Sequence, residues 1–163
     1  IKECCNHSNT ARKANNMNEI INNWDLILNT FKNECDIQNL SFTTFIKPLQ
    51  VISVSDNEIT LLSDTQMSAN YVEKRYLKFL EVTISEIMKK DYKLRIISED
   101  TLNELNNKFN QIDNGSFVKI TFYKNGKYSE IKRRVTNIDY IKKKIQINKE
   151  YNINICDIVS ILI

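Results

Sequence analysis

SFTTFIKPLQVISVSDNEITLLSDTQMSANYVEKRYLKFLEVTISEIMKKDYKLRI, residues 41–96, switches between helical and strand periods three times, and those switches set the fold. Ser41 stands as an N-cap ahead of Phe42, Phe45 and Ile46, which predicts a short helix. That helix must stop before Pro48, the only proline, because a proline disfavours α geometry at the preceding Lys47. Leu49, Val51 and Ser53 then alternate with Gln50, Ile52 and Val54, Asp56-Asn57 supplies a turn, and Ile59 to Leu62 returns, which together read as a β-hairpin. Asp64 or Thr65 can cap one long helix whose apolar side is Met67, Tyr71, Val72, Tyr76, Phe79, Leu80, Ile84, Ile87 and Met88. Lys89 and Lys90 fall at its C-terminus, where cations suit the helix dipole. Tyr92, Leu94 and Ile96 alternate with Lys93 and Arg95 as one more strand.

On the N-terminal side, Ile20, Ile21, Trp24, Ile27, Leu28 and Phe31 keep the spacing of an amphipathic helix that Asn18 can cap. Residues 17–97 therefore spell α-α-β-β-α-β, a two-layer α+β domain. Residues 1–16 carry no sustained apolar period and form an unassigned tail. The chain opens on Ile1, so an upstream domain is one expectation. On the C-terminal side, residues 98–114 place Leu102, Leu105, Phe109 and Ile112 on one side of a linker helix that ends at Asn114-Gly115. Residues 115–163 then read as all β: Val118, Ile120 and Phe122 alternate with polar neighbours, and Lys124-Asn125-Gly126-Lys127 is an Asn-Gly hairpin signal. The return strand carries Tyr128, Ile131, Val135 and Ile138. Ile141, Ile145, Ile147 and the isoleucines from 153 to 163 bring the expected count to five short strands in a small barrel-like, Sm-like or strongly bent sheet.

Composition excludes several classes. At 163 residues and 42% hydrophobic content the chain suits one medium or two small globular domains. It has no apolar run of membrane-spanning length and no secretory leader, so a cytoplasmic location is expected and no membrane partner. Cys4, Cys5, Cys35 and Cys156 show no C-x-x-C spacing and read as free thiols. Cys4, Cys5 and His7 are one ligand short of a structural zinc site, so no metal and no cofactor is expected. His7 is the only histidine and lies in the tail, which leaves a Ser-His or Cys-His pair without support. With glycine only at 115 and 126, there is no G-x-x-x-x-G-K-S/T phosphate loop. An enzyme is not expected. Net charge is +3 and unevenly spread: residues 115–163 hold ten Lys and Arg against four acids, a net of +6, leaving −3 for residues 1–114.

Two motifs go further. Phe42-Thr43-Thr44-Phe45-Ile46-Lys47-Pro48-Leu49-Gln50 and Tyr71-Val72-Glu73-Lys74-Arg75-Tyr76-Leu77 resemble the second- and third-helix signatures of the DnaA N-terminal domain, with Trp24 and the hairpin in matching order. The resemblance covers about half of the chain and implies a compact KH-like fold. It also implies a protein-binding role: self-association through Trp24, and contact with the replicative helicase or an initiation regulator through Ser41, Phe42 and Met67. Ser41 replaces the family's frequent acid and Met67 its frequent aromatic, so the partner is expected to differ. The C-terminal half resembles the YolD-like family in Phe122-Tyr123-Lys124-Asn125-Gly126, Val135-Thr136-Asn137-Ile138-Asp139 and Cys156-Asp157-Ile158-Val159-Ser160-Ile161. An initiator's docking domain without its ATPase fits a plasmid, phage or prophage setting.

Two groups have competing roles. Trp24 either packs inside the first helix's stripe or sits at its edge as an interface anchor, a place where tryptophan is enriched, and the latter predicts a homodimer. Lys132, Arg133 and Arg134 with Lys142, Lys143 and Lys144 either flank a groove that tracks phosphates, with Tyr123, Tyr128 and Tyr140 for stacking, or coat a solvated β surface. The first reading is a non-catalytic interaction module in DNA replication; the second is sequence-independent nucleic-acid binding.

Overall fold

The structure is a computed structural model that describes residues 15–55, 57–124, 127–148 and 150–163. Cys4, Cys5 and His7, Asp56 of the first turn, the Asn125-Gly126 turn and Lys149 lie outside the described residues. Two compact units divide between Ser98 and Glu99. The chain is α+β, as its periods predict.

The first unit opens with α1, helical over 15–22, and α2, Trp24–Glu34. Asn18 lies inside α1 and caps nothing; the helix pair breaks at Asn23, whose side-chain amide donates to Glu19 O at 2.8 Å. The short α3, Asn39–Ser41, widens into a π turn over Phe42–Ile46. Then come β1 (Gln50–Val54), β2 (Glu58–Ser63), α4 (Gln66–Arg75), α5 (Leu77–Met88) and β3 (Lys93–Ser98). The sheet runs β1-β2-β3, with β1 antiparallel and β3 parallel to the central strand. A parallel neighbour requires a crossover, and α4 with α5 supplies it.

Three details depart from the sequence expectations. The single long helix is two, because Tyr76 leaves helical geometry (φ −122°) and turns its ring edge-on to Phe31 at 5.9 Å. A register shift between Val51 and Ser53 reverses β1's parity, so Leu49 and Val54 are both buried although simple alternation puts them on opposite faces. Lys47 keeps α geometry (φ −58°, ψ −36°) despite Pro48, because its N–H donates to Phe42 O at 2.9 Å in the π turn. Thr65 is the cap of α4: its Oγ1 accepts the Ser68 N–H at 3.1 Å.

The second unit begins with α6, Glu99–Asn110, the segment expected as a linker. Leu105, Phe109 and the following Ile112 belong to this unit's core. Gly115 (φ +92°) takes the left-handed turn into the first strand, a conformation that favours glycine. Among the described residues six strands follow where five were expected: β4 (Phe117–Lys124), β5 (Lys127–Arg134), β6 (Asn137–Asp139), β7 (Lys144–Ile147), β8 (Tyr151–Asn154) and β9 (Ile158–Leu162). They hydrogen-bond as two antiparallel three-stranded sheets, β5-β4-β9 and β6-β7-β8. Both contribute isoleucines to the same core, but Ile141, expected in a strand, sits in the β6–β7 turn and is 95% exposed. Among the described residues no helix is long and apolar enough to cross a membrane.

Candidate partner-binding surface

Helix α4 meets the π turn through aromatic rings. Tyr71 lies 4.2 Å from Phe45, centroid to centroid, and 5.8 Å from Tyr76, which in turn abuts Phe31 of α2. The Tyr76 and Ser41 hydroxyls both hydrogen bond to the Tyr71 oxygen. These bonds, Tyr76's first and Ser41's second, pull the Tyr71 phenol below its ordinary range, with a smaller contribution from Arg75. Tyr76 moves the opposite way: burial raises it, and its donation to Tyr71 raises it further. The Arg75 guanidinium lies 5.0 Å from the Tyr71 ring centroid, a cation–π contact.

Ser41 therefore does not cap its helix. Its backbone is already helical (φ −62°, ψ −41°), whereas an N-cap is extended, and its hydroxyl serves Tyr71. Met67 is one turn before Tyr71 on α4 and is 79% exposed; Leu40, beside Ser41 in the chain, is 78% exposed. Ser41 and Met67 are thus joined through Tyr71 into one region. Phe42 and Trp24 turn inward instead. Phe42 is buried with the Lys32 ammonium 5.1 Å above its ring, and Trp24 is half-buried, its Nε1 donating to Leu49 O at 3.2 Å. Sequence reasoning passed over Leu40, although its place before the expected cap was a usable signal, and over Tyr71 and Arg75 as surface groups.

The six basic candidates of the second unit divide between strand β5 and the segment formed by the β6–β7 turn and the start of β7. Lys132, Arg133 and Arg134 are exposed on β5, with Arg134 Nη1 donating to Gly115 O at 3.0 Å. Lys142 is in the β6–β7 turn, its N–H donating to Asp139 Oδ1 at 2.8 Å, and Lys144 opens β7. Lys143 is half-buried, with its ammonium 5.4 Å from the Phe109 ring centroid. Tyr140, expected as a stacking surface, spends its hydroxyl on Ile112 O at 2.7 Å.

Among the described residues no three His, Cys, Asp or Glu side chains gather as metal ligands. Cys35 is a poor nucleophile, because burial first and the Glu34 carboxylate second raise its thiol above the ordinary value and keep it protonated.

Comparison with known proteins gives two family matches, which overlap at residues 78–86. The DnaA N-terminal domain model matches residues 22–86, from the end of α1 through most of α5. The chromosomal replication initiator protein DnaA of Lachnoclostridium phytofermentans is 32% identical over 78 residues, covering 45% of this chain but only 17% of that relative. The YolD-like protein model matches residues 78–162, a wider span than the sequence motifs indicated, since it includes α5, β3 and α6. The match extends over half of the 163 residues, and so, with a DnaA N-terminal domain at 22–86 ahead of it, the chain belongs to the YolD-like protein family.

Proposed function

We propose that the chain is a non-catalytic protein-interaction module of DNA replication, which docks a protein partner through Leu40, Ser41, Met67, Tyr71 and Arg75. The observation that carries this reading is the exposure of Leu40 and Met67 beside a Tyr71 ring held by Phe45, Ser41 and Arg75. Apolar side chains in water gain from burial, while a tyrosine fixed before binding loses little entropy on docking. Tyr and Arg are also the residue types that most often dominate interfaces. The similarity to a chromosomal replication initiator directs the choice of partner to the replicative helicase and regulators of initiation.

Biolayer interferometry with the full chain and purified replicative helicase tests it. Met67→Asp and Leu40→Asp, both at exposed positions, should each weaken binding by about tenfold or more while the melting curve stays unchanged. Binding that survives both substitutions moves the interface elsewhere on the molecule.

A further inference from the structure

The outer face of sheet β5-β4-β9 is of a different character from the docking surface just described. On β4, Val118, Ile120 and Phe122 are buried, so strand alternation sends Phe117, Lys119, Thr121 and Tyr123 to the opposite face. The β4–β5 register places Arg134 beside Phe117, Lys132 beside Lys119, Glu130 beside Thr121 and Tyr128 beside Tyr123. Phe117 is 51% exposed and Tyr128 67%, with the Tyr123 and Tyr128 rings 4.9 Å apart. Glu130 is the only acid in the three strands, against six Lys and Arg. It pairs with Lys119 at 3.0 Å, which leaves Lys132 and Arg134 as the face's cations outside that pair. Arg134 gives one N–H to Gly115 O, and a guanidinium has further donors.

We infer that this face binds single-stranded DNA, with Tyr128 and Tyr123 stacking on bases and Lys132 and Arg134 contacting phosphates. A sheet face that carries exposed rings at its hairpin end and cations towards its other end offers both chemistries that a single strand presents, a π face and a regularly spaced negative charge. Duplex DNA hides its base faces inside the stack, so the tyrosines favour the single strand. The choice of DNA over RNA rests on the replication role proposed above. The surface itself does not, because it shares no residue with the Leu40–Met67 region.

Fluorescence anisotropy of the full chain with a labelled oligothymidine strand, at low and at moderate salt, tests this. The expected result is salt-dependent binding that Lys132→Glu with Arg134→Glu weakens by more than about tenfold, and that Tyr128→Ala weakens by about fivefold or more. Lys142→Glu, in the β6–β7 turn, should change it by less than about twofold. All replaced side chains are exposed, and thermal melts check that each variant folds. The inference is overturned by no binding of the unaltered chain at low salt, by an equal loss in Lys142→Glu, or by duplex bound as tightly as single strand with Tyr128→Ala neutral. Tighter binding of the matching oligouridine strand overturns the assignment to DNA. None of these outcomes bears on helicase docking, which the Met67 and Leu40 variants report separately.

Discussion

The Glu81 carboxylate of α5 accepts the Leu94 backbone N–H of β3 at 3.0 Å, at a depth where Glu81 is only 8% exposed. Lys78 and Lys93 flank it at 3.6 and 3.7 Å and offset its charge, so the crossover helix is tied to the strand it delivers. Glu81→Ala leaves the Leu94 N–H buried without its acceptor and should cost about 1–3 kcal/mol. Glu81→Gln retains an acceptor and should cost about half as much. Urea denaturation of the two variants checks the order; equal losses would mean that charge, not acceptance, holds the junction.

Trp24 is the chain's only tryptophan, half-buried against the first core and bonded to Leu49 O. Trp24→Ala removes packing as well as a hydrogen bond and should destabilise the first unit by about 2–4 kcal/mol. Trp24→Phe keeps most of the packing and should cost about 1 kcal/mol. The milder variant is therefore the right one for sedimentation tests of a homodimer, since loss of association in Trp24→Ala would not separate interface from fold.

Opposed shifts at Tyr71 and Tyr76 make the aromatic junction sensitive to alkali. Tyr71's folded pKa is depressed, so its contribution is present above the unfolded value, about 10, and is lost as pH falls through the folded value. Tyr76's is raised, so its contribution is present below about 10 and is lost as pH rises through its folded value. NMR titration of ring-labelled tyrosine should show Tyr71 ionising before Tyr76. Tyr76→Phe and Ser41→Ala should each move Tyr71 upward, Tyr76→Phe more. No movement in either variant would show that the hydroxyls do not hold the ring.

Periodicity made the element order legible, because burial on one face is a local property of the sequence: Ile27, Leu28 and Phe31 on α2, and Val118, Ile120 and Phe122 on β4, are buried as their spacing predicts. What stayed illegible depends on distant partners. The break at Tyr76 needs Phe31 from α2, and the role of Ser41 needs Tyr71, thirty residues away. A serine before an apolar run looks like a cap whenever that tertiary bond is unknown. The basic residues divide for the same reason. Parity from Ile131 sends Lys132 and Arg134 outward, but nothing local tells that Lys143 lies over Phe109 from α6.

That last contact bears on where the second unit begins. Leu105, Phe109 and Ile112 are each 3% exposed or less and pack with the sheet isoleucines, while Tyr140 meets Phe109 edge-on at 5.7 Å and hydrogen bonds to Ile112 O. Removing residues 99–114 would uncover the core those three side chains close, and burying side chains of this size stabilises by about 1.5–3 kcal/mol each, comparable with the whole stability of a small domain. A fragment spanning 99–163 should therefore give a dispersed amide NMR spectrum and a cooperative melt, and one spanning 115–163 should give neither. If the shorter fragment folds, the helix is a tether laid on a self-sufficient sheet domain, and the boundary belongs at Gly115 after all.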